Sequence, residues 1–296
     1  MTNGEQSVKV DVREVKSLLP MRKRASHKGD YGRAAIVAGS IEYTGAAYLA
    51  TSACLRSGAG YTTLFIPKEL FSIYALKAPE ALLDFTNDGG RYEFIEKNAS
   101  KLLFYDAVAY GMGMGVSKDV YQGAEYLLKH YNGKLLLDAD GLNSLAAYAQ
   151  DLHGLFQNAK CDVLITPHVK EFSRLFAMPM EDLLSAPAVA ASKRAKQYGV
   201  SILLKGWETA ISNGEKTRIV DRGTSGQAKG GSGDVLSGLI AGLCAQGVSA
   251  FDGGVLGGYL AGLSAEIATA ETGEYSLLAT DVIQCLGRAF QTIQNG

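Results

Sequence analysis

The run Ala228-Lys229-Gly230-Gly231-Ser232-Gly233-Asp234 passes without a break into Val235-Leu236-Ser237-Gly238-Leu239-Ile240-Ala241-Gly242, a glycine-rich loop feeding an apolar helix. Glycines let a backbone turn sharply and approach a ligand, and the first turn of a helix presents N–H groups that have no partner inside the helix. Such a loop is a cradle for an anion, phosphate above all. Asp234 is the odd member, because a carboxylate beside a phosphate repels it. It suits either a base that takes a proton from the group attacking that phosphate or an acidic residue capping the helix. These residues alone leave both readings open.

Further polar and glycine-rich groups follow short apolar runs. They are Gly39-Ser40 with Tyr43-Thr44-Gly45-Ala46-Ala47, then Gly111-Met112-Gly113-Met114-Gly115, Asp138-Ala139-Asp140-Gly141-Leu142-Asn143, Thr166-Pro167-His168 and Lys205-Gly206-Trp207-Glu208-Thr209. Lys205 suits neutralisation of a phosphate and Thr209 a hydrogen bond to it, against the plainer reading of a β-turn with a solvated lysine. Trp207 is either packing or a base platform. Asp138, Asp140 and Asn143 offer the oxygen ligands that magnesium takes, or else cap the helix starting near Gly141; a mixed role with Asp138 nearest the cleft is expected. His168, with Glu171 three residues on, is a helix cap or a ligand contact. His27 is a weaker candidate for ligand contact, against the plainer reading of a turn leading into the first strand. The GxGxG at Gly111 lacks the later glycine and the distal acid of a dinucleotide fingerprint, and the chain has no GxxxxGK[ST]. A nicotinamide-dependent dehydrogenase and a P-loop enzyme are therefore disfavoured.

Placing these groups together requires strands that end side by side. Strand-type runs recur at Ala34–Ala38, Tyr61–Ile66, Ala107–Tyr110, Lys134–Leu137, Val163–Ile165 and Ser201–Leu204. Between them lie helical patterns at Ala46–Ser57, Val120–Tyr131, Gly141–Ala149, Lys170–Leu175 and Ala188–Tyr198. This alternation predicts an α/β fold, a mostly parallel sheet with helices on both faces, whose ligands bind beyond the carboxyl ends of the strands. Val235–Phe251 and Gly253–Ala268 read as two buried, closely packed helices, too polar and glycine-broken to span a membrane. No linker divides the chain, so residues 1–296 are expected to form one domain with residues 1–25 as an N-terminal extension.

With 29 basic and 30 acidic residues among 296, the chain carries no basic field for nucleic acid or anionic membrane, and phosphate recognition must be local. The four cysteines are far apart, without CxxC pairing or a histidine at metal-ligand spacing, as in a reduced cytoplasmic protein. The polar Met1–Arg13 stretch has no apolar signal core, so export is not expected.

In this order, the motifs resemble those of the ADP/ATP-dependent NAD(P)H-hydrate dehydratases of the ribokinase superfamily. The landmarks are Ser26-His27-Lys28-Gly29-Asp30-Tyr31-Gly32, Tyr43-Thr44-Gly45-Ala46-Ala47, Leu55-Arg56-Ser57-Gly58-Ala59-Gly60, Gly111 to Gly115, Leu137 to Asn143, Thr166-Pro167-His168, Lys205 to Thr209 and Gly230 to Asp234. The resemblance implies a ribokinase-like fold and an enzyme that repairs hydrated nicotinamide cofactors. It implies that Ala46, Gly113, His168 and Asp234 contact the hydrated dinucleotide, with Asp234 the catalytic base. Lys205, Gly206, Trp207, Glu208 and Thr209, with Gly230, Gly231, Ser232 and Gly233, would hold ADP or ATP, and Lys229 would reach a phosphate. Magnesium is the implied cofactor, and a homo-oligomer such as a tetramer the implied assembly. Too few residues precede the motifs for a fused epimerase domain, so a separate NAD(P)H-hydrate epimerase is the implied functional partner. A small-molecule kinase of the same superfamily and a catalytically silent nucleotide-binding module are the competing readings.

Overall fold

Alternate residues of a strand face opposite ways, so an apolar run without polar interruptions needs a cover on both sides. The computed structural model, which describes residues 7–296, supplies both covers. Its strands are β1 (Val8–Lys9), β2 (Arg33–Val37), β3 (Tyr61–Ile66), β4 (Leu82–Phe85), β5 (Ala107–Tyr110), β6 (Lys134–Leu137), β7 (Asp162–Ile165), β8 (Ser201–Leu204), β9 (Thr209–Ser212) and β10 (Thr217–Val220). They form one sheet in the order β1-β10-β9-β8-β7-β6-β5-β2-β3-β4, in which only β9 is antiparallel among the described strands. The fold is thus the expected α/β class. Residues 1–6 of the expected N-terminal extension lie outside the described residues, and the rest of it adds β1 to the sheet edge beside β10.

Two cores follow from the alternation. Ala34 and Ile36 of β2, Ala107 and Ala109 of β5 and Leu136 of β6 face the helices Thr44–Arg56, Ser232–Ala245, Ala250–Thr272 and Ala279–Asn295. Ala35 and Val37, Val108 and Tyr110, and Leu135 and Leu137 face the helices Lys118–His130, Ala139–Tyr148, Val169–Leu175 and Pro187–Tyr198. The segment that reads as the first of two glycine-rich helices ends at Ala245, and the second begins at Ala250. Among the described residues no helix is long and apolar enough to cross a membrane.

The small residues of Ser232–Ala245 bring it against Thr44–Arg56 almost backbone to backbone. A Cβ at Gly238 would stand 1.8 Å from the Ala50 carbonyl oxygen. Gly238→Ala is therefore expected to lower unfolding free energy by about 3 kcal/mol, the upper end for an overpacked core, read as a lower urea midpoint. A midpoint unchanged within error would mean that the two helices separate at little cost.

The sheet order also locates a cleft. From β2 the chain runs outward to β3 and β4, then returns to the other side of β2 for β5, β6, β7 and β8. The crevice beyond the carboxyl ends of β2 and β5 is the topological switch point, where open α/β sheets bind ligands.

Candidate active site

At that switch point the β2 exit and the Gly111–Gly115 loop are tied together, Gly39 N–H donating to the Met112 carbonyl at 2.8 Å. Gly113 has φ +63°, and a Cβ there would lie 2.7 Å from the Ala46 Cβ and 2.9 Å from the Tyr43 Cβ. The fold therefore sets Gly113 and Ala46 directly against each other. Asp140 fixes the glycine loop, its Oδ2 accepting the Gly115 N–H at 2.8 Å. Ala139 turns this corner in the left-handed region at φ +47°, a strained setting of the kind that clusters at functional sites.

Asp138, at the β6 exit, is the buried hub of the cleft. Its side chain is 2% exposed; Oδ1 pairs with Lys205 Nζ at 2.8 Å and Oδ2 accepts the Ser237 hydroxyl at 2.7 Å. Although it occupies the N-cap position of Ala139–Tyr148, it makes no side-chain cap bond. Its carboxylate serves the cleft, and the expected mixed role resolves to pairing. Asn143 is drawn away to Arg174.

Asp234 lies in the first turn of Ser232–Ala245, behind Gly231 in the left-handed region at φ +97°. The capping reading does not hold, because that helix has no side-chain cap bond. Among the described residues the Asp234 carboxylate has neither a hydrogen-bond nor an ion-pair partner. Burial, and then repulsion from Asp138 and Asp140, push its pKa up to about 7 against the pull of Lys205. A carboxylate poised near neutrality suits proton transfer at physiological pH.

Lys205 is 22% exposed. Burial works against its charge, but Asp138 and Glu171, with a smaller contribution from Asp234, outweigh it and raise its pKa. A Cβ at Gly233 would lie 3.4 Å from Lys205 Nζ, so the ammonium stands beside the glycine cradle. Gly206, Trp207 and Glu208 form the loop of the β8–β9 hairpin, and Thr209 opens β9. Trp207 is 89% exposed and is no part of this chain's own core. Glu208 is met by Lys9 of β1 at 3.6 Å. The Ser232 hydroxyl donates to the Gln227 carbonyl at 2.8 Å, leaving its backbone N–H as the donor open to an anion. Lys229 departs from the expected phosphate contact: its ammonium donates to the carbonyls of Tyr275 and Leu277, at 2.6 and 2.9 Å.

His168 caps Val169–Leu175. Its Nδ1 accepts from the N–H groups of Lys170 and Glu171, and the Glu171 carboxylate accepts the His168 N–H at 2.9 Å. A backbone bridge to Lys205 keeps the histidine at the rim of the cleft. Burial raises the Glu171 pKa, with Lys205 opposing. Among the described residues no three His, Cys, Asp or Glu side chains converge on one point, so the protein alone offers no cage for a cation. Magnesium does not need one, since it binds through one or two carboxylates plus phosphate and water. Asp140, at the β6 exit beside the Gly111–Gly115 loop, is a carboxylate of that kind. His27 lies in an exposed turn before β2, and the four thiols are free.

Glu171, three residues after His168, carries a capping-box signal in the sequence. Ser237 carries none, being one serine within an apolar helix.

Fold and rim together define an α/β protein of ribokinase-like architecture, with a glycine-rich loop and an unpaired Asp234 carboxylate at the start of the Ser232–Ala245 helix. The chain belongs to the NAD(P)H-hydrate dehydratase family, whose model matches residues 34–288. It is 34% identical over 246 residues, 81% of this chain and 82% of the other, to the ADP-dependent (S)-NAD(P)H-hydrate dehydratase of Streptococcus thermophilus. The crystal structure of the Bacillus subtilis ADP/ATP-dependent NAD(P)H-hydrate dehydratase, co-crystallised with ATP and Mg2+, superposes with a TM-score of 0.83 at 29% identity, covering 97% of this chain and 99% of that one. The chain spans about half the length of other curated relatives; the bifunctional NAD(P)H-hydrate repair enzyme of Thermofilum pendens is 30% identical over 290 residues, 93% of this chain and 53% of that protein.

Proposed function

We propose that this chain dehydrates the S epimer of hydrated NADH and NADPH at the expense of ADP or ATP, releasing AMP or ADP and phosphate. The observation that carries this reading is the unpaired Asp234 carboxylate on the cradle helix, held near neutrality beside Lys205. Asp234 accepts the proton of the substrate's ring hydroxyl, whose oxygen then bonds to the terminal phosphorus as the bond to the nucleotide's bridging oxygen breaks. Lys205 and the N–H groups of Gly230 to Gly233 hold the phosphoryl charge, the main protein contribution to phosphoryl transfer. The ring-nitrogen lone pair then expels phosphate, and loss of a proton from the adjacent ring carbon restores the dihydronicotinamide. Magnesium bound with the nucleotide would supply charge neutralisation, and Asp140 is the carboxylate that would meet it.

In this reading Ala46, Gly113 and His168 form the substrate side of the cleft, and Gly206, Trp207, Glu208 and Thr209 the nucleotide side. The working form is a cytoplasmic homo-oligomer, and an NAD(P)H-hydrate epimerase supplies the S epimer. The decisive assay incubates the protein with hydrated NADH or NADPH, ADP or ATP and magnesium, following reduced-cofactor absorbance and phosphate. Equal release of both is expected. A stable phosphorylated product without reduced cofactor would instead make the chain a small-molecule kinase. Gly113→Val, which fills the contact with Ala46, is expected to raise the hydrate KM at least tenfold and leave the nucleotide KM within about twofold. Equal effects on both would remove Gly113 from the substrate side.

A further inference from the structure

Lys205 stands between three acids. Its ammonium lies beside Gly233, the residue preceding Asp234, and its charge is favoured by Asp138 first, then Glu171 and, more weakly, Asp234. Yet among the described residues it forms an ion pair within 4.0 Å only with Asp138. Asp138 is held in turn by the Ser237 hydroxyl, from the helix that carries Asp234 and one turn further along it. A buried carboxylate bonded on both oxygens has one orientation open to it. Lysine, by contrast, is a flexible point charge that moves to whichever acid is offered.

We propose that Asp138 is a positioning residue that diverts Lys205 from Asp234, keeping the lysine free for phosphate and the aspartate free to take a proton. The inference rests on the assignment of Asp234 as the base. Without the Asp138 charge, Lys205 swings onto Asp234 and forms the ion pair that the wild-type arrangement prevents. An aspartate paired with lysine is a poorer base, and a lysine paired with aspartate is a poorer phosphate clamp. The Ser237 bond fixes the direction in which Asp138 pulls and ties that pull to the position of the cradle helix.

The test is Asp138→Asn, which keeps the shape and the Ser237 bond but removes the charge. Turnover at saturating ADP and hydrated NADH is expected to fall at least 30-fold, with the hydrate KM within threefold of wild type. A crystal structure of the variant is expected to place Lys205 Nζ on the Asp234 carboxylate. Asp138→Glu, which restores a carboxylate, is expected to regain at least threefold of the lost turnover. The proposal is overturned if Asp138→Asn keeps turnover within threefold, if Asp138→Glu is no faster than Asp138→Asn, or if Lys205 Nζ in the variant crystal lies more than 4 Å from the Asp234 carboxylate. Should Asp138→Asn not fold, Ser237→Ala, which frees the Asp138 carboxylate to turn, carries the test: turnover at least threefold below wild type is expected, and turnover within 1.5-fold of wild type overturns it. Absence of hydrate turnover in the wild type would instead defeat the proposed function, and the position of Lys205 in the crystal structure would still decide this inference.

Discussion

Asp234→Asn is expected to abolish nucleotide-dependent recovery of reduced cofactor and, at pH 8, to make the folded protein more stable. Loss of a general base costs roughly 10²- to 10⁴-fold, and here no second unpaired carboxylate stands in the cradle, so a fall of about 10³-fold or more is expected. The stability gain follows from the pKa of about 7, raised from 3.8 by burial and by Asp138. A carboxyl whose folded-state pKa is raised contributes stability below its unfolded pKa and loses it as pH rises through the folded value. Wild type therefore carries an ionisation penalty that builds between about pH 4 and pH 7 and stays level above that, and the amide carries none. Scaled for partial exposure, the difference is on the order of 2 kcal/mol at pH 8, shrinking to nothing near pH 4. Thermal melts at pH 4.5, 6 and 8 read it directly. The same titration sets the activity profile, with kcat/KM rising through about pH 7 in wild type. A variant that keeps turnover, or one with no pH-dependent gain in melting temperature, would remove Asp234 from the role of base.

The strands that build the cleft were legible because their signal is local. β2, β3, β5, β6, β7 and β8 are buried on both faces and read as apolar runs, and β8, β7, β6, β5 and β2, whose exits carry the polar groups, lie side by side in the sheet. β4 was not legible, since Leu82-Leu83-Asp84-Phe85 is a half-exposed edge strand of mixed polarity. β9 and β10 do carry a hairpin signal, Asn213-Gly214 between two alternating segments, but Lys205 to Thr209 reads more strongly as an isolated loop. Within the site, residue types were legible and partnerships were not. Asp138 offered its carboxylate equally to a cation, a cap or a ligand, and only the approach of β8 and the Ser232–Ala245 helix gives it Lys205 and Ser237. Lys229 shows the converse, a basic side chain beside a phosphate loop whose ammonium is taken by two carbonyls of a distant turn.

Lys205→Met is expected to cost about 3–5 kcal/mol of stability, the penalty for leaving one member of a buried ion pair alone, in addition to weakening nucleotide binding. Asp138, 2% exposed, would keep only the Ser237 hydroxyl, while Glu171 and Asp234 would lose the charge that opposes their upward shifts. Glu171 and Asp234 would then hold their protons still more tightly in the folded state than in the unfolded chain. By the same linkage the deficit must grow as pH rises: largest near pH 8, where the unfolded chain ionises these groups freely, and smaller near pH 5, where the folded protein keeps them neutral. Urea unfolding of wild type and variant at the two pH values measures this difference. A deficit under about 1 kcal/mol, or one equal at both, would mean that Asp138 finds water or another donor when the ammonium is removed, and that Lys205 is not the charge on which this acidic cluster depends.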